Sequence, residues 1–182
     1  MGMDVFSSMI ARKFKNIAGE RYEEIMSFYR EFLLSEEEMS VPSISAVLMP
    51  LDRSTVVIPE KVYEFLSTYE GSILLLYVID VDVIGIIEGT LGEEEAEVFK
   101  RKELEEAYKL LSSIELKLSG FNFSIRKEVV FGDKGEDVID RARNHDLVVI
   151  SKRYGSEGAR SSRVSPLVFR IVHNVTKPVV VY

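Results

Sequence analysis

The chain has 182 residues, of which 46% are hydrophobic and 29% are charged, and its formal net charge is -7. This length suits one domain with an appendage, and the composition allows a sizeable buried core. The negative charge argues against nucleic acid as a main partner, because binding through counterion release needs a basic surface. The chain has no cysteine, which excludes disulfides, thiolate metal sites and cysteine nucleophiles.

No segment of the sequence is typical of secretion or membrane insertion. The N-terminal residues lack an uninterrupted apolar stretch of signal-peptide length, and the apolar run ILLLYVI at 73–79 is much shorter than a bilayer span. We therefore expect a cytoplasmic protein without a membrane span.

Residues 1–40 are predicted to form a helical extension that is separate from the rest of the chain. Apolar side chains recur there at helical spacing in two groups, which Gly19 separates. The polar run SEEEMS at 35–40 and Pro42 indicate a linker. We expect these helices to pack on the following domain or on a protein partner. A membrane-surface role is disfavoured, because acidic residues share the polar face.

From residue 43 to residue 182, short β-branched runs alternate with helical patterns. The runs occupy 44–50, 72–79, 123–131, 147–151 and 178–182. Four of them are almost uniformly apolar, as in parallel strands that helices cover on both faces. The third alternates and is predicted to lie at an edge. The pattern predicts an α/β fold, a five-stranded parallel doubly wound sheet with strand order 3-2-1-4-5.

Two features of the connections are also predicted. Asp133 followed by Glu136 suggests a capping box, and Ser165 before Pro166 suggests an N-cap followed by proline at the first helical position. The segment 81–91, VDVIGIIEGTL, is predicted as a loop rich in isoleucine and valine. It is either an exposed interaction patch or a cover over the end of the sheet.

The candidate ligand site follows from the strand order. In open α/β sheets, ligands bind beyond the carboxyl ends of the strands where the strand order reverses. Here that crevice lies between the first and fourth strands, and the segments MPLDRS (49–54) and SKRYGSEGARSSRVSP (151–166) would line it. Asp52 offers a fixed acceptor for a base amine or a ribose hydroxyl. The alternative is that Asp52 is a turn or cap residue, since aspartate favours those positions.

These segments resemble the universal stress protein family. VLMPLDRS (47–54) resembles the first strand and turn of that family, ILLLYVID (73–80) the second strand, HDLVVIS (145–151) the fourth, and NVTKPVVVY (174–182) the final strand with the helix end before it. The resemblance covers about residues 43–182. It implies a Rossmann-like domain of the adenine nucleotide alpha hydrolase type, and homodimers formed through the C-terminal strand 178–182. That strand carries no charge to protect its edge, which independently favours pairing.

Members of this family that bind ATP carry the motif Gly-x2-Gly-x9-Gly, followed by Ser or Thr, between the fourth strand and the last helix. In this chain the middle glycine is Gly155, whereas Lys152 and Ser165 take the other two positions. Lys152 lacks the close backbone approach and the positive φ that glycine allows. Pro166 removes one amide donor at the helix N-terminus.

The resemblance assigns roles to individual residues. It implies that Pro50, Asp52 and Val78 contact an adenine and its ribose, and that Gly155, Ser156 and Ser165 lie near the phosphates.

The same loop is basic. Lys152, Arg153, Arg160 and Arg163 offer side-chain charge to phosphates, or they form an ordinary solvated loop. We therefore expect weak or altered binding of ATP or AMP, with Mg²⁺ held mainly by the phosphates. Asp80 and Asp82 are candidates to assist such a metal, but no dedicated metal site is expected.

No catalytic constellation is recognisable, because the two histidines fit capping or surface positions and no serine has an identifiable base. The leading hypothesis is a homodimeric regulatory binding module that binds adenine nucleotides weakly. The alternative is a ligand-free interaction protein that docks a partner through residues 1–40 and 81–91. A slow nucleotide hydrolase is the least favoured reading.

Overall fold

The structure is a computed structural model that describes residues 43–55, 57–156 and 163–182. The prediction for residues 1–40 and the candidate Arg160 lie outside this range. The described chain alternates strands and helices: β1 (Ala46–Leu51), α1 (Glu60–Leu66), β2 (Gly71–Asp80), α2 (Val81–Leu91), α3 (Glu93–Leu118), β3 (Phe123–Gly132), α4 (Lys134–Ala142), β4 (Leu147–Ile150), α5 (Pro166–Asn174) and β5 (Val179–Val181).

The five strands form one parallel sheet with the order β3-β2-β1-β4-β5, which confirms the predicted fold class. The central strand β1 pairs with β2 on one side and with β4 on the other. The alternating third strand lies at one edge, as predicted, and the short β5 lies at the other. The order reverses between β1 and β4, so the crevice opens beyond these two strands.

Helices cover both faces of the sheet, which explains why the central strands are apolar throughout. Val47, Met49 and Leu51 of β1 belong to a core shared with α1, α2 and α3. Leu48 points to the opposite core, which it shares with α4 and α5. Successive side chains of a strand point to opposite faces, so a strand buried on both sides needs apolar residues at nearly every position.

Both predicted N-cap residues cap their helices, while the Glu136 carboxylate of the predicted capping box contacts Arg170. The Asp133 carboxylate accepts hydrogen bonds from the amides of Gly135 and Glu136 at the start of α4. The Ser165 hydroxyl accepts from the amide of Val168, directly before Pro166. Each cap provides an acceptor for amides that the first turn of a helix leaves without partners.

The prediction of a loop at 81–91 was wrong, because this segment is the helix α2. The Asp80 carboxylate accepts a hydrogen bond from the amide of Asp82 and so caps the N-terminus of α2. Its β-branched residues and its two glycines are poor helix formers, and this composition obscured the helix. Ile86 is 68% exposed and Leu91 is 64% exposed, so α2 presents apolar surface. Within the described residues, no helix has the length and apolar character that crossing a membrane requires.

Candidate functional site

The turn after β1 is built around the Asp52 carboxylate. Asp52 is 3% exposed, and its Oδ1 accepts from the Ser54 amide at 3.0 Å and from the Thr55 hydroxyl at 2.9 Å. The Ser54 hydroxyl lies within hydrogen-bonding distance of both Oδ1 and the Arg153 carbonyl. A buried carboxylate requires such donors, because an unpaired buried charge is costly. Asp52 thus has the turn-forming role that the alternative interpretation described.

The second part of the site is the loop after β4. The amide of Gly155 donates to Oδ2 of Asp52 at 2.6 Å. Gly155 has a φ of 71°, and a Cβ at this position would lie 2.3 Å from Cδ2 of Leu167. Glycine is therefore required here both for the backbone conformation and for space. This bond brings the β1 turn and the β4 loop together at the switch point.

The backbone amides of residues 152–156 all donate hydrogen bonds to acceptors within the protein. Their acceptors are the Tyr182 carbonyl for residue 152, the Ser151 hydroxyl for 153, the Ser151 carbonyl for 154, the Asp52 carboxylate for 155 and the Arg153 carbonyl for 156. A phosphate cradle depends on amides that point at the anion without another acceptor. This part of the loop therefore offers no free amide to a phosphate.

Ser165 and Tyr154 anchor the two ends of the loop. The Ser165 hydroxyl, 5% exposed as a residue, donates to the Tyr154 carbonyl at 2.6 Å while it caps α5. Tyr154 is fully buried, and its hydroxyl lies 3.4 Å from the Lys134 carbonyl. Burial raises the pKa of the Tyr154 phenol well above its usual value, so the phenol remains neutral at physiological pH.

A cavity of about 460 Å³ opens beside these loops, at the carboxyl end of β2. Asp52, Arg53, Ser54 and Ser156 line the side formed by the two loops. The rest of its lining comes from β2 and the helices that follow: Tyr77, Val78, Ile79, Asp80, Val83, Phe99, Glu103 and Lys134. Its size falls within the range of pockets that hold small organic ligands.

Arg53, Tyr77 and Glu103 form a charged cluster in the cavity wall. The Arg53 guanidinium contacts Oε1 of Glu103 and lies 5.6 Å from the ring centroid of Phe99. The Tyr77 hydroxyl donates to Oε2 of Glu103 at 3.2 Å. Burial raises the pKa of the Tyr77 phenol, although the nearby Arg53 opposes this. The phenol is therefore neutral at physiological pH and donates a hydrogen bond to the carboxylate.

The predicted site residues occupy three different environments. Asp52, Val78 and Ser156 line the cavity. Pro50 is buried in β1 beside Leu76 of β2. The remaining candidates, Lys152, Arg153, Gly155 and Ser165, belong to the adjoining loop and are not among the cavity-lining residues.

Sequence reasoning placed the segment 49–54, which contains Arg53, at the crevice without giving Arg53 a role, and it missed Tyr77, Phe99 and Glu103. A signal for Glu103 existed, because it lies four residues before Ala107 on the buried face of α3, where an apolar residue is expected. Phe99 lies one turn earlier on the same face. A carboxylate on an apolar helix face indicates a buried partner or a site.

The carboxylates near the cavity are engaged within the protein. Asp80, one of the carboxylates considered for a metal, accepts from the Asp82 amide as the cap of α2. Within the described residues, no three acidic, histidine or cysteine side chains come together as a metal site would require. The cavity volume is in the range of small-ligand pockets, whereas residues 152–156 offer no free amide to an anion.

Comparison with known proteins supports the fold. No protein-family model matches the chain, and no curated protein matches its sequence. Universal stress protein UspA from Lactobacillus plantarum has a similar structure, with a TM-score of 0.61 and 15% identity over 78% of this chain and 99% of that one. A universal stress protein family member from Burkholderia pseudomallei has a TM-score of 0.57 and 16% sequence identity, over 79% of this chain and 98% of that one.

The universal stress protein from Archaeoglobus fulgidus in complex with dAMP gives a TM-score of 0.51 and 14% identity over 75% of this chain and 96% of that one. Identities of 14–16% with these three structures show a common fold and not a common function. The described domain has the fold of the universal stress proteins.

Proposed function

We propose that residues 43–182 form a regulatory binding module that takes an adenine nucleotide at the switch-point cavity, with low affinity. The observation that supports it most is the 2.6 Å bond between the Gly155 amide and Asp52. It joins the two loops that border a cavity of suitable size at the position where open α/β sheets bind ligands. The related fold from Archaeoglobus fulgidus was solved in complex with dAMP.

The base would occupy the part of the cavity with apolar walls. Val78, Val83 and Phe99 all line the cavity and provide these walls. Aromatic and aliphatic surfaces suit a planar base because its faces are weakly hydrated.

The phosphates would depend on side chains. Lys134 and Arg53 line the cavity, and Lys152 and Arg153 lie in the adjoining loop, where no amide of residues 152–156 is free. Flexible cations lose conformational entropy when they bind, so this arrangement favours weak affinity and little preference for a longer phosphate chain. Mg²⁺ would be held mainly by the phosphates themselves.

We also propose that the protein is a cytoplasmic homodimer that pairs through β5. This strand is a sheet edge, and Val181 is 39% exposed. A charge-free edge with unpaired backbone groups favours addition of another strand. The rival function, docking of a protein partner, is supported by the exposed Ile86 and Leu91 of α2.

Calorimetry with AMP, ADP and ATP, with and without Mg²⁺, tests the nucleotide proposal. We expect dissociation constants of about 10 μM or weaker that differ by less than about tenfold among the three ligands. Submicromolar ATP affinity would contradict the proposed loss of the phosphate cradle.

Two tryptophan variants test whether the cavity is the site. Val83→Trp fills the apolar part of the cavity and should abolish binding. Val98→Trp adds the same side chain to α3 at a position that is 52% exposed and does not line the cavity, so it should bind as the wild type does. Equal binding by both variants would place the nucleotide elsewhere.

A further inference from the structure

Among the helices of the described residues, α2 has the smallest share of buried residues. Of its 11 residues, Ile84 alone is buried. The 9-residue helix α4 buries Gly135, Val138 and Ala142, and α5, of the same length, buries two residues. A segment with few buried contacts needs little free energy to open locally. We therefore expect α2 to open more readily than α4.

The composition of α2 adds little helix stability of its own. Eight of its 11 residues are glycine or β-branched, and both classes form helices less readily than alanine or leucine. A Cβ added at Gly85 or Gly89 would meet no described atom within 4 Å apart from its chain neighbours and the backbone of its own helix. No packing contact therefore requires glycine at these two positions. The helical state of α2 depends mainly on the packing of Ile84 and of the partly buried Ile87.

The position of α2 relates it to the cavity. Asp80, the last residue of β2, and Val83 of α2 both line the cavity. At the other end Gly92 alone separates α2 from α3, and its φ of 113° favours glycine. The neighbouring elements are anchored in the core, β2 through residues such as Leu75 and α3 through residues such as Leu111. A change of backbone angles at Gly92 can thus move α2 while β2 and α3 stay in place.

We propose that α2 is a lid on the cavity, which opens locally when the cavity is empty and is held closed when a ligand occupies it. Opening takes Val83 out of the cavity wall and exposes the side chain of Ile84 in addition to that of Ile86, which is already at the surface. A ligand that contacts this wall binds the closed form and shifts the equilibrium toward it. Occupancy of the cavity thereby controls how much apolar surface the protein presents. The identity of the ligand rests on the proposed function, whereas the opening of α2 in the empty protein does not.

Hydrogen exchange followed by mass spectrometry on the full chain tests the lid. Without ligand, and after correction for intrinsic exchange rates, the amides of α2 should exchange at least about tenfold faster than those of α4. With AMP at about ten times its dissociation constant, exchange in α2 should slow about tenfold, because the ligand stabilises the closed form in proportion to its occupancy. None of the lining residues among the described part of the chain belongs to α1, so exchange in α1 should not change.

The double variant Gly85→Ala/Gly89→Ala separates the stability of α2 from the cavity itself. Alanine raises the helix propensity at both positions without a clash, so exchange in ligand-free α2 should slow at least about fivefold. Neither glycine lines the cavity, and the dissociation constant for AMP should stay within about twofold of the wild-type value. Gly120→Ala is the matched control, because Gly120 lies after the end of α3 and an added Cβ there meets no described atom within 4 Å apart from its chain neighbours. This variant should leave exchange in α2 unchanged.

The outcomes separate the lid from the proposed function. Equal exchange in α2 and α4 without ligand, or an unchanged rate in Gly85→Ala/Gly89→Ala, refutes the local opening of α2. If calorimetry shows that AMP binds but exchange in α2 stays as it was, the lid is refuted while nucleotide binding stands. If AMP does not bind, the proposed function fails and the coupling to AMP fails with it, and the ligand-free comparison of α2 with α4 alone decides whether α2 opens.

Discussion

Asp52 and Gly155 are 103 residues apart in the sequence and joined by a 2.6 Å hydrogen bond. A second aspartate does the same at the other end of these strands, because the Asp146 carboxylate accepts from the amides of Ser45 at 3.0 Å and Ala46 at 2.9 Å. Strands β1 and β4 are thus tied together at both their amino and carboxyl ends. The position of the crevice is set by the protein before any ligand binds.

Asp52 should contribute to stability in the absence of any ligand. Asp52→Ala leaves the Gly155 amide and the Thr55 hydroxyl without their acceptor, and we expect a loss of about 2 to 4 kcal/mol in the free energy of unfolding. Urea unfolding measures it. Asp140→Ala is the control, because the Asp140 side chain makes an exposed ion pair with Arg143 and its loss should cost less than about 1 kcal/mol. Equal losses in the two variants would refute the structural role.

Gly155→Ala should be destabilising for two reasons. The alanine backbone would have to adopt a φ of 71°, and its Cβ would lie 2.3 Å from Cδ2 of Leu167. We expect a loss of about 1 to 3 kcal/mol. Gly89→Ala is the matched control, since Gly89 lies in α2, where an added Cβ would meet no described atom within 4 Å apart from its chain neighbours and the backbone of its own helix. There alanine should stabilise the helix by about 0.5 to 1 kcal/mol. Thermal unfolding compares them, and a neutral Gly155→Ala would contradict the strained geometry.

Restoring glycine at the other two motif positions should not restore tight ATP binding. Within the described residues, no non-glycine residue has a positive φ, so Lys152 already fits its backbone. Lys152→Gly should therefore remove a cation without a conformational gain. Ser165→Gly loses the hydroxyl that caps α5 and holds the Tyr154 carbonyl, and we expect a loss of about 1 kcal/mol. A tenfold rise in ATP affinity in the double variant, seen by calorimetry, would show that the loop can still form a phosphate cradle.

Asp146 should make stability depend on pH in the acid range. Hydrogen bonds from the amides of Ser45 and Ala46 lower the pKa of this carboxyl from its usual 3.8. A folded-state pKa below the unfolded value gives stability that is complete above the unfolded pKa and is lost as the pH falls through the folded pKa. Asp146→Asn should therefore have a lower Tm than the wild type near neutral pH.

The Tm difference between wild type and Asp146→Asn should shrink as the pH falls below 3.8. Scanning calorimetry at several pH values measures it. A difference that stays constant down to about pH 2 would show that the charge of Asp146 contributes nothing.

Light scattering after size exclusion tests pairing through β5. The wild type should be a dimer at about tens of micromolar, and Val181→Lys should be a monomer, because a lysine on a strand edge opposes edge-to-edge addition. Ile86→Lys places the same charge on the exposed face of α2 and should leave the dimer intact. If only Ile86→Lys dissociates the dimer, α2 is favoured as the interface. A monomeric wild type would exclude dimers through β5 and through α2 alike.

Much of this architecture could be predicted because it follows from local patterns. Apolar runs in β1 and β2 and the helical spacing between them indicate a parallel sheet, since each pattern reflects burial within a few residues. The caps at Asp133 and Ser165 were recognisable for the same reason. The helix α2 was missed because its composition opposes helix formation and its packing favours it.

The sequence by itself determined the strand order and the crevice into which Asp52 and Gly155 both fall, because strand ends follow from chain topology. Only the tertiary structure decided how their hydrogen bonds are shared. It showed that the Gly155 amide donates to the Asp52 carboxylate and not to a ligand, and that Glu103 lies in the cavity wall as the ion-pair partner of Arg53. Such pairings depend on distances between residues far apart in the chain, and local spacing does not encode those distances.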